Sequence, residues 1–397
     1  MSKPRTIEIK PSRQFPFVSR HPWAHAASLA DSYGDLPTGE VVDLVTHDGN
    51  WVARGLFNPT GKLRVRLYTW DPAESLDDAF FRKRIDQAIE RRQVAHLEPT
   101  EDAVRLVFSE ADGLSGLIVD RYRDYLVVQI NAAVIASRIE PILDHLRQRC
   151  NPRSMIVRVD AATAKAEGIE VRDEILFGEP PASDLLINDG GVQCVVDLMH
   201  SQKTGLYLDQ RENRRVAASY LRDRDVLDIC SYVGGFALAA AKLGQASSVL
   251  GIDTSQRAVD AANENAARND LTNVQFEAGD CFETLDALKH EGRRFSGMIL
   301  DPPRFAGSRQ SVEAAMRAYS RLNRSAIDLL TPGGILITCS CSGRVLRNDF
   351  VKMLQKVGRQ SGRDLIVFEN RGAAADHPVR LSCPETDYLK CLICEVR

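Results

Sequence analysis

Several apolar runs of this sequence end in residue types that can do chemistry. In DVLDICSYVGGFALAAA, Asp228 closes the run, and Gly234 and Gly235 stand just before a helical pattern. Glycine at such a turn lets the backbone come close to a bound molecule. The spacing is not G-x-G-x-x-G, and no Lys-Ser/Thr follows, so the turn is not a phosphate-cradling loop. VLGIDTS ends in Asp253, 18 residues after Gly235. An acid there can accept hydrogen bonds from both hydroxyls of a ribose. Followed by Thr254 and Ser255, it also has the composition of a helix cap. FEAGDCF places Asp280 where a carboxylate could meet an adenine amino group. Together, glycine turn and acids favour an adenosine-type ligand.

Two further run-ends suggest the reacting groups. MILDPPR ends in Asp301, and Pro302 and Pro303 fix the backbone as it leaves the run. Such rigidity suits a loop that holds a planar substrate in one pose. GGILITCSCSG places Cys341 just past its apolar run, in a small polar turn. A thiol at a strand tip is reachable, and nearby positive charge or a base favours the reactive thiolate. Cys339 shares the same strand face by period-two alternation but lies deeper, which predicts a core position.

These residues need elements to hold them. Region 191–397 alternates strands and helices, with strands expected at 225–230, 248–253, 273–278, 296–301, 333–340, 364–369 and 388–396. AVDAANENAARN and SVEAAMRAYSRLNRSAIDLL read as helices between them. The alternation predicts a largely parallel sheet covered on both faces, an α/β Rossmann-like class, whose ligands bind beyond the carboxyl ends of the strands. Region 1–73 reads as a small β-rich module: EVVDLVTHDGNWVARGLFNP gives two strands around Asp48-Gly49, and LRVRLYTW gives a strand with a basic face. On that module Arg54, Lys62, Arg64 and Arg66 are candidate phosphate contacts. Region 74–190 mixes a charged amphipathic helix, DDAFFRKRIDQAIERRQVAHL, with strands VRLVFSE, LSGLIVDRY, YLVVQIN and MIVRVD and a helix over 136–148.

Composition bounds the answer. A chain of 397 residues, 44% hydrophobic and 26% charged, is globular and fits two or three domains. No spanning helix and no secretory leader is visible. Nine cysteines, an odd number, predict reduced thiols in a cytoplasm. Cys391 and Cys394 form a C-x-x-C with no second pair to complete a zinc site, so they are expected as core residues of a terminal strand, and no metal is expected. Net charge is −3; residues 1–70 carry +3 of it and the rest −6, a weak hint of RNA contact.

The motifs taken together resemble a class I S-adenosylmethionine-dependent methyltransferase. More narrowly, the chain resembles the ribosomal RNA large subunit methyltransferase I family, whose members make 5-methylcytidine in large-subunit rRNA. HPWAHAA, ARGLFNP, HSQKTGLYLDQREN (200–213), DICSYVGGFALAA, GIDTSQRAVDAANENAARN, LDPPRFA, ITCSCSG and ADHPV (375–379) carry the likeness in order over nearly the whole chain. The resemblance implies an N-terminal PUA domain, an RNA-binding β-barrel (1–73), a small central α+β domain (74–190) and the methyltransferase domain (191–397). It implies that Asp228, Ser231, Gly234, Gly235 and Phe236 hold the methionine end of S-adenosylmethionine, Asp253 the ribose and Asp280 the adenine. Lys203 and Tyr207 are candidate cofactor contacts in a segment that closes over it.

The resemblance also gives Cys341 the role of nucleophile and Asp301 a place beside the pyrimidine. C5 of cytosine is a poor nucleophile until a thiolate adds to C6. Many RNA 5-methylcytidine enzymes carry a second cysteine in a Pro-Cys pair after the fourth strand; here that place reads Asp301-Pro302-Pro303-Arg304. This departure is shared with RNA 5-methyluridine enzymes and leaves the proton-abstracting base unassigned, with Asp376 and His377 expected in buried or capping roles. The expected partner is large-subunit rRNA, naked or partly assembled, with the target base unpaired or flipped out; no membrane is expected, and a homodimer is left open. The rivals are uridine or guanine methylation, a non-catalytic RNA-binding assembly factor on the same scaffold, and, least favoured by the spacing, a nucleotide-dependent oxidoreductase.

Overall fold

The computed structural model describes residues 4–30, 34–94, 102–199, 204–305 and 312–397. The chain divides into two compact units. The first holds residues 1–185, with Asp197–Leu206 and Ala375–Thr386 returning to it; the second holds the remainder.

The first unit begins with β1 (Arg5–Glu8), α1 (Phe15–Val18), β2 (Trp23–His25), β3 (Val41–Val45), β4 (Trp51–Phe57) and β5 (Leu63–Thr69). Its five strands lie in the order β1-β3-β4-β5-β2. Alternate residues Val42, Leu44, Ala53, Val65 and Leu67 point into one core, as the period-two pattern predicts. The expected hairpin turn sits at Asp48-Gly49, and Gly49 has φ +81°, a conformation that favours glycine. The basic face expected for LRVRLYTW is not a solvated one. Arg66 is buried and donates to Glu167 (2.8 Å) and Ser115 (3.0 Å). Arg54 donates to both carboxylate oxygens of Asp43 (2.7 and 3.1 Å). These two side chains are spent on structure, because a buried guanidinium must find anions or carbonyls. Lys62 is exposed.

There follow α2 (Asp78–Val94), β6 (Ala103–Phe108), β7 (Leu117–Tyr122), β8 (Tyr125–Ile130), α3 (Ala133–Ala136), α4 (Ile139–Cys150), β9 (Ser154–Val159), α5 (Ala161–Glu167) and β10 (Arg172–Phe177). The strands form a second sheet, β10-β9-β8-β7-β6, parallel only where α3 and α4 cross from β8 to β9. α4 ends at Asn151 in the left-handed region, a usual stop for a helix. Buried pairs tie this layer: Arg92 to Asp112 (2.8 and 2.7 Å) and Arg105 to Asp120 (2.8 and 2.7 Å). The returning Asp376 accepts from the Arg105 backbone N–H (3.0 Å) and lies 2.7 Å from His377 Nδ1.

The second unit comprises most of β11 (Leu185–Asp189), then β12 (Val192–Val196), α6 (Arg211–Ser219), β13 (Asp225–Ile229), α7 (Gly235–Lys242), β14 (Ser248–Asp253), α8 (Gln256–Arg268), β15 (Val274–Ala278), α9 (Cys281–His290), β16 (Phe295–Leu300), α10 (Val312–Leu329), β17 (Leu330–Ser340), α11 (Arg347–Ser361), β18 (Leu365–Arg371) and β19 (Lys390–Val396). β13 to β19 are the seven strands expected from the sequence, with bounds shifted by a few residues. They form one sheet in the order β15-β14-β13-β16-β17-β19-β18. β13 through β17 pair in parallel, while β19 runs antiparallel to both its neighbours. The central strands are apolar along their length because helices cover both faces. Strand order reverses between β13 and β16, so a crevice opens beyond their carboxyl ends. Cys339, Cys391 and Cys394 are buried in this sheet, as expected of core thiols.

Candidate active site

The crevice is built from the ends of β13, β14, β15, β16 and β17. Asp228, on β13, is fully buried. Its Oδ2 accepts from the Ala237 N–H of α7 (3.0 Å). Its Oδ1 has no hydrogen-bond partner among the described residues, and neither has the buried Ser231 Oγ. Burial pushes the Asp228 carboxyl well above the ordinary range, and the nearby charge of Asp301 adds to this. A buried unpaired carboxylate oxygen is costly, and an incoming cation relieves it. An ammonium group such as that of a methionine is the cation these two orphaned atoms fit.

The connecting loop is strained. Cys230, Tyr232 and Gly234 all have positive φ (64°, 50° and 89°). Bonds to the neighbouring elements hold it in place: Ser231 N–H donates to the Ile252 carbonyl (2.9 Å), Tyr232 N–H to Asp253 Oδ2 (2.9 Å), and Asn265 Nδ2 on α8 to the Val233 carbonyl (3.1 Å). A Cβ on Gly234 would lie 2.7 Å from Phe276 Cζ, so glycine is needed there for space as well as for φ. Gly235 opens α7 against the Arg214 side chain, and Phe236 is buried behind it. Gly235 and Phe236 therefore offer backbone groups at a helix N-terminus.

Asp253 serves the fold in two ways. Oδ2 clamps the loop, and Oδ1 accepts from Ser255 N–H (3.0 Å), while Ser255 itself caps α8. Each oxygen keeps a second lone pair that a ribose hydroxyl could use. Asp280 is exposed and caps α9, its Oδ1 accepting from Phe282 and Glu283 (2.8 and 3.1 Å). The capping alternative read for the Asp253 segment is met by Ser255, while at the next strand end Asp280 itself is the cap.

The ends of β16 and β17 carry the two candidate reacting groups. Leu300 and Thr338 are register partners, which sets Asp301 and Cys341 just beyond neighbouring parallel strands. Cys341 Sγ lies 3.8 Å from the Pro302 carbonyl. Asp301 Oδ1 accepts from Gln210 Nε2 (3.0 Å). Gln210 Oε1 accepts in turn from Asn213 (2.7 Å), and Asn213 Oδ1 from Arg371 Nε (3.0 Å). The relay fixes which face of the carboxylate is occupied. Tyr319, from α10, reaches Ser342 Oγ (3.0 Å); burial pushes its phenol up to about 12, and Cys341 and Asp301 act in the same direction. Tyr207 packs edge-on against Tyr232 (5.3 Å), and burial raises its phenol, as do Tyr232, Cys341 and Asp301. Both phenols stay neutral hydrogen-bonding groups near neutral pH.

The tertiary structure thus brings together Asp228, Ser231, the glycine turn, Asp253, Tyr207, Asp301 and Cys341; Lys203 lies outside the described residues. Asp376 and His377 belong to the first unit and are buried there. Sequence reasoning missed Gln210 and Lys390. Gln210 sits in the 200–213 stretch, but an amide announces no chemistry. Lys390 sits in an apolar run, where a lone lysine was the available signal. Among the described residues, one group could hold a metal ion: His21, Cys383 and Glu385. There His21 Nδ1 already accepts from Trp23 N–H (3.2 Å) and Nε2 lies 3.1 Å from Glu385, so both ring nitrogens are engaged.

Comparison with known proteins addresses the assignment directly. Residues 169–372 match the S-adenosylmethionine-dependent methyltransferase family, and residues 7–70 match a PUA-like domain. Over 392 residues, 98% of this chain and 99% of the relative, the sequence is 37% identical to ribosomal RNA large subunit methyltransferase I of Escherichia coli strain K12. The chain belongs to the ribosomal RNA large subunit methyltransferase I family.

The same identity and coverage hold for the relative in Escherichia coli O157:H7. Among solved structures, a methyltransferase complexed with SAH superposes with a TM-score of 0.86 at 19% identity, covering 98% of this chain and 100% of that one. A Streptococcus mutans protein described as a SAM-dependent methyltransferase gives 0.85, with the same identity and coverage. At that identity the likeness bears on fold alone. Membership of the family makes this an S-adenosylmethionine-dependent methyltransferase with a PUA-like N-terminal domain and a Rossmann-like sheet. No helix of the described residues is long and apolar enough to cross a membrane.

Proposed function

We propose that the chain methylates C5 of a cytidine in large-subunit rRNA, with Cys341 as covalent nucleophile and Asp301 beside the pyrimidine ring. The observation that carries the reading is the pair itself: a reachable thiol and an oriented carboxylate at adjacent strand ends, beside a loop whose orphaned polar atoms fit a methionine. When bound, S-adenosylmethionine supplies an electrophilic methyl group. Asp228 and Ser231 would receive the ammonium end, the backbone of Gly234, Gly235 and Phe236 would flank it, Asp253 would take the ribose, Asp280 the adenine, and Tyr207 would add a contact, with Lys203 a candidate from the sequence alone.

The Cys341 thiolate adds to C6. The S–C6 bond forms and the C5=C6 electron pair moves to C5; from there it would take the methyl group as the methyl's bond to the cofactor sulfur breaks, with S-adenosylhomocysteine as the leaving group. Asp301, held by Gln210, hydrogen-bonds the N3 edge. A base then removes the C5 proton, the S–C6 bond breaks, and the double bond returns. The base must be flipped or unpaired to reach this crevice. Lys62 and Arg64 remain candidate RNA contacts on the PUA-like sheet, and naked or partly assembled rRNA is the expected substrate form.

Asp301-Pro302-Pro303-Arg304, with no cysteine beside the proline, favours uridine as the second reading. The test is to incubate the chain with labelled S-adenosylmethionine and protein-free large-subunit rRNA, then identify the labelled nucleoside. Label in 5-methylcytidine, lost by at least about a thousandfold in Cys341→Ala with cofactor binding kept, supports the reading. Label in 5-methyluridine or a methylguanosine sinks it.

A further inference from the structure

Lys390 is the first residue of β19 and is 1% exposed. Lysine is among the residues least often fully buried without an anionic partner. Among the described residues its ammonium donates instead to carbonyl oxygens, of Ser342 and Tyr388, both at 2.8 Å. The register explains the placement. β19 runs antiparallel to β17 with Lys390 opposite Ser340. Lys390 therefore faces the residue before Cys341 and grips the carbonyl of the residue after it. Burial acts most strongly on Lys390; among nearby groups a charge on Cys341 comes next, ahead of Arg347 from α11 and Asp387 from the segment before β19.

We propose that Lys390 is a positioning residue for the reaction: its ammonium group, pinned between the carbonyl of Ser342, the residue after Cys341, and that of Tyr388 before β19, holds the strand-tip turn and stabilises Cys341 as the thiolate. The inference rests on the reading of Cys341 as nucleophile and deepens it. The electrostatic neighbourhood of Cys341 includes Asp301 beyond β16, an anion, and the neutral phenols of Tyr319 on α10 and Tyr207 before α6, which Cys341 and Asp301 both push up. A fixed cation offsets them. It favours the thiolate before addition to C6 and again when sulfur leaves. No proton passes from Cys341 to Lys390 in this account; the thiol proton goes to water, and Lys390 acts through its charge. Burial lowers the Lys390 ammonium to about 8, and a negative charge on Cys341 acts in the opposite direction. Burial of a charge at a crevice, with a perturbed titration, is the signature of a functional position.

The experiment reads the thiol without relying on turnover. The full chain is treated with iodoacetamide from pH 5.5 to 9.5, and the Cys341 peptide is followed by mass spectrometry. In the wild type the midpoint for Cys341 falls below the ordinary thiol value of about 8.5. Lys390→Met moves the midpoint up by about one unit and slows alkylation about tenfold at pH 7. Lys390→Arg keeps a charge and returns most of the rate. A wild-type midpoint at or above about 8.5 overturns the proposal without any variant, so it stays testable if Lys390→Met fails to fold. An unchanged profile in a folded Lys390→Met also overturns it. The covalent reading fails separately, by full methylation in Cys341→Ala, an outcome that leaves the alkylation profile untouched.

Discussion

Asp228 is a carboxylate with one oxygen satisfied by Ala237 and the other exposed to neither water nor a donor among the described residues. Its folded-state carboxyl is raised above the unfolded value near 3.9. The folded chain therefore holds this proton longer than the unfolded chain does. The stabilising contribution is full below the unfolded value and is lost as pH rises through the folded one. Asp228→Asn removes this dependence. The expected result is a variant whose apo melting temperature gains on wild type as pH is raised from 4 toward 8. Its affinity for S-adenosylhomocysteine drops about 10- to 100-fold, the worth of one hydrogen bond to a charged group. Melting scans with and without ligand at both ends of the range check both halves; an affinity equal to wild type would remove Asp228 from the cofactor site. The sequence announced Asp228 by its place at a strand end. It did not announce Gln210, which donates to Asp301 and whose partners here lie 3 and 91 residues away.

At the scale of elements, the loop between β13 and α7 couples local strain to function. Cys230, Tyr232 and Gly234 hold positive φ because Ile252 and Asp253, on the neighbouring strand, accept the loop's N–H groups. Gly234→Ala adds a methyl 2.7 Å from Phe276 Cζ at φ +89°. The expected cost is about 1–3 kcal/mol of stability, with a larger proportional loss of cofactor affinity, read by urea unfolding and by titration calorimetry. If both stay at wild-type values, the loop is not the rigid cradle described. The strands themselves were readable because each is apolar along its whole length and bounded by turn residues. The basic stripe of LRVRLYTW misled for the opposite reason. Alternation assigns a face, but it does not say whether that face meets solvent or a second layer.

At the scale of the molecule, the first unit is held by ion pairs that join distant elements. Arg66 on β5 reaches Glu167 at the end of α5 and Glu110 beyond β6. Arg66→Met leaves the buried Glu167 and the half-buried Glu110 without this cation. The expected destabilisation is about 3–5 kcal/mol by denaturant unfolding, against about 0.5 kcal/mol or less for the exposed Lys62→Ala. RNA affinity should respond in the reverse order, with Lys62→Ala weakening binding in a salt-dependent way. An Arg66→Met chain that folds as well as wild type yet loses RNA would return Arg66 to the interface. Segments 197–206 and 375–386 join this unit although they lie far along the sequence. No local pattern marks such returns, because their contacts depend on where the rest of the chain has gone.

By itself the sequence determined the class of fold, the seven strands of the main sheet, the glycine turn and the acids at the strand ends. Those features are local: hydrophobic period, turn chemistry and helix caps act over a few residues. Tertiary structure decided which of the candidates stand together. It brought Asp301 and Cys341 to adjacent strand ends through a parallel register, buried Asp376 and His377 in the other unit, and spent Arg54 and Arg66 on ion pairs. It also set Lys390 across from the strand that carries Cys341, 49 residues earlier in the chain. Charge and desolvation act through space, so their effect is fixed only once strands are paired and side chains are buried.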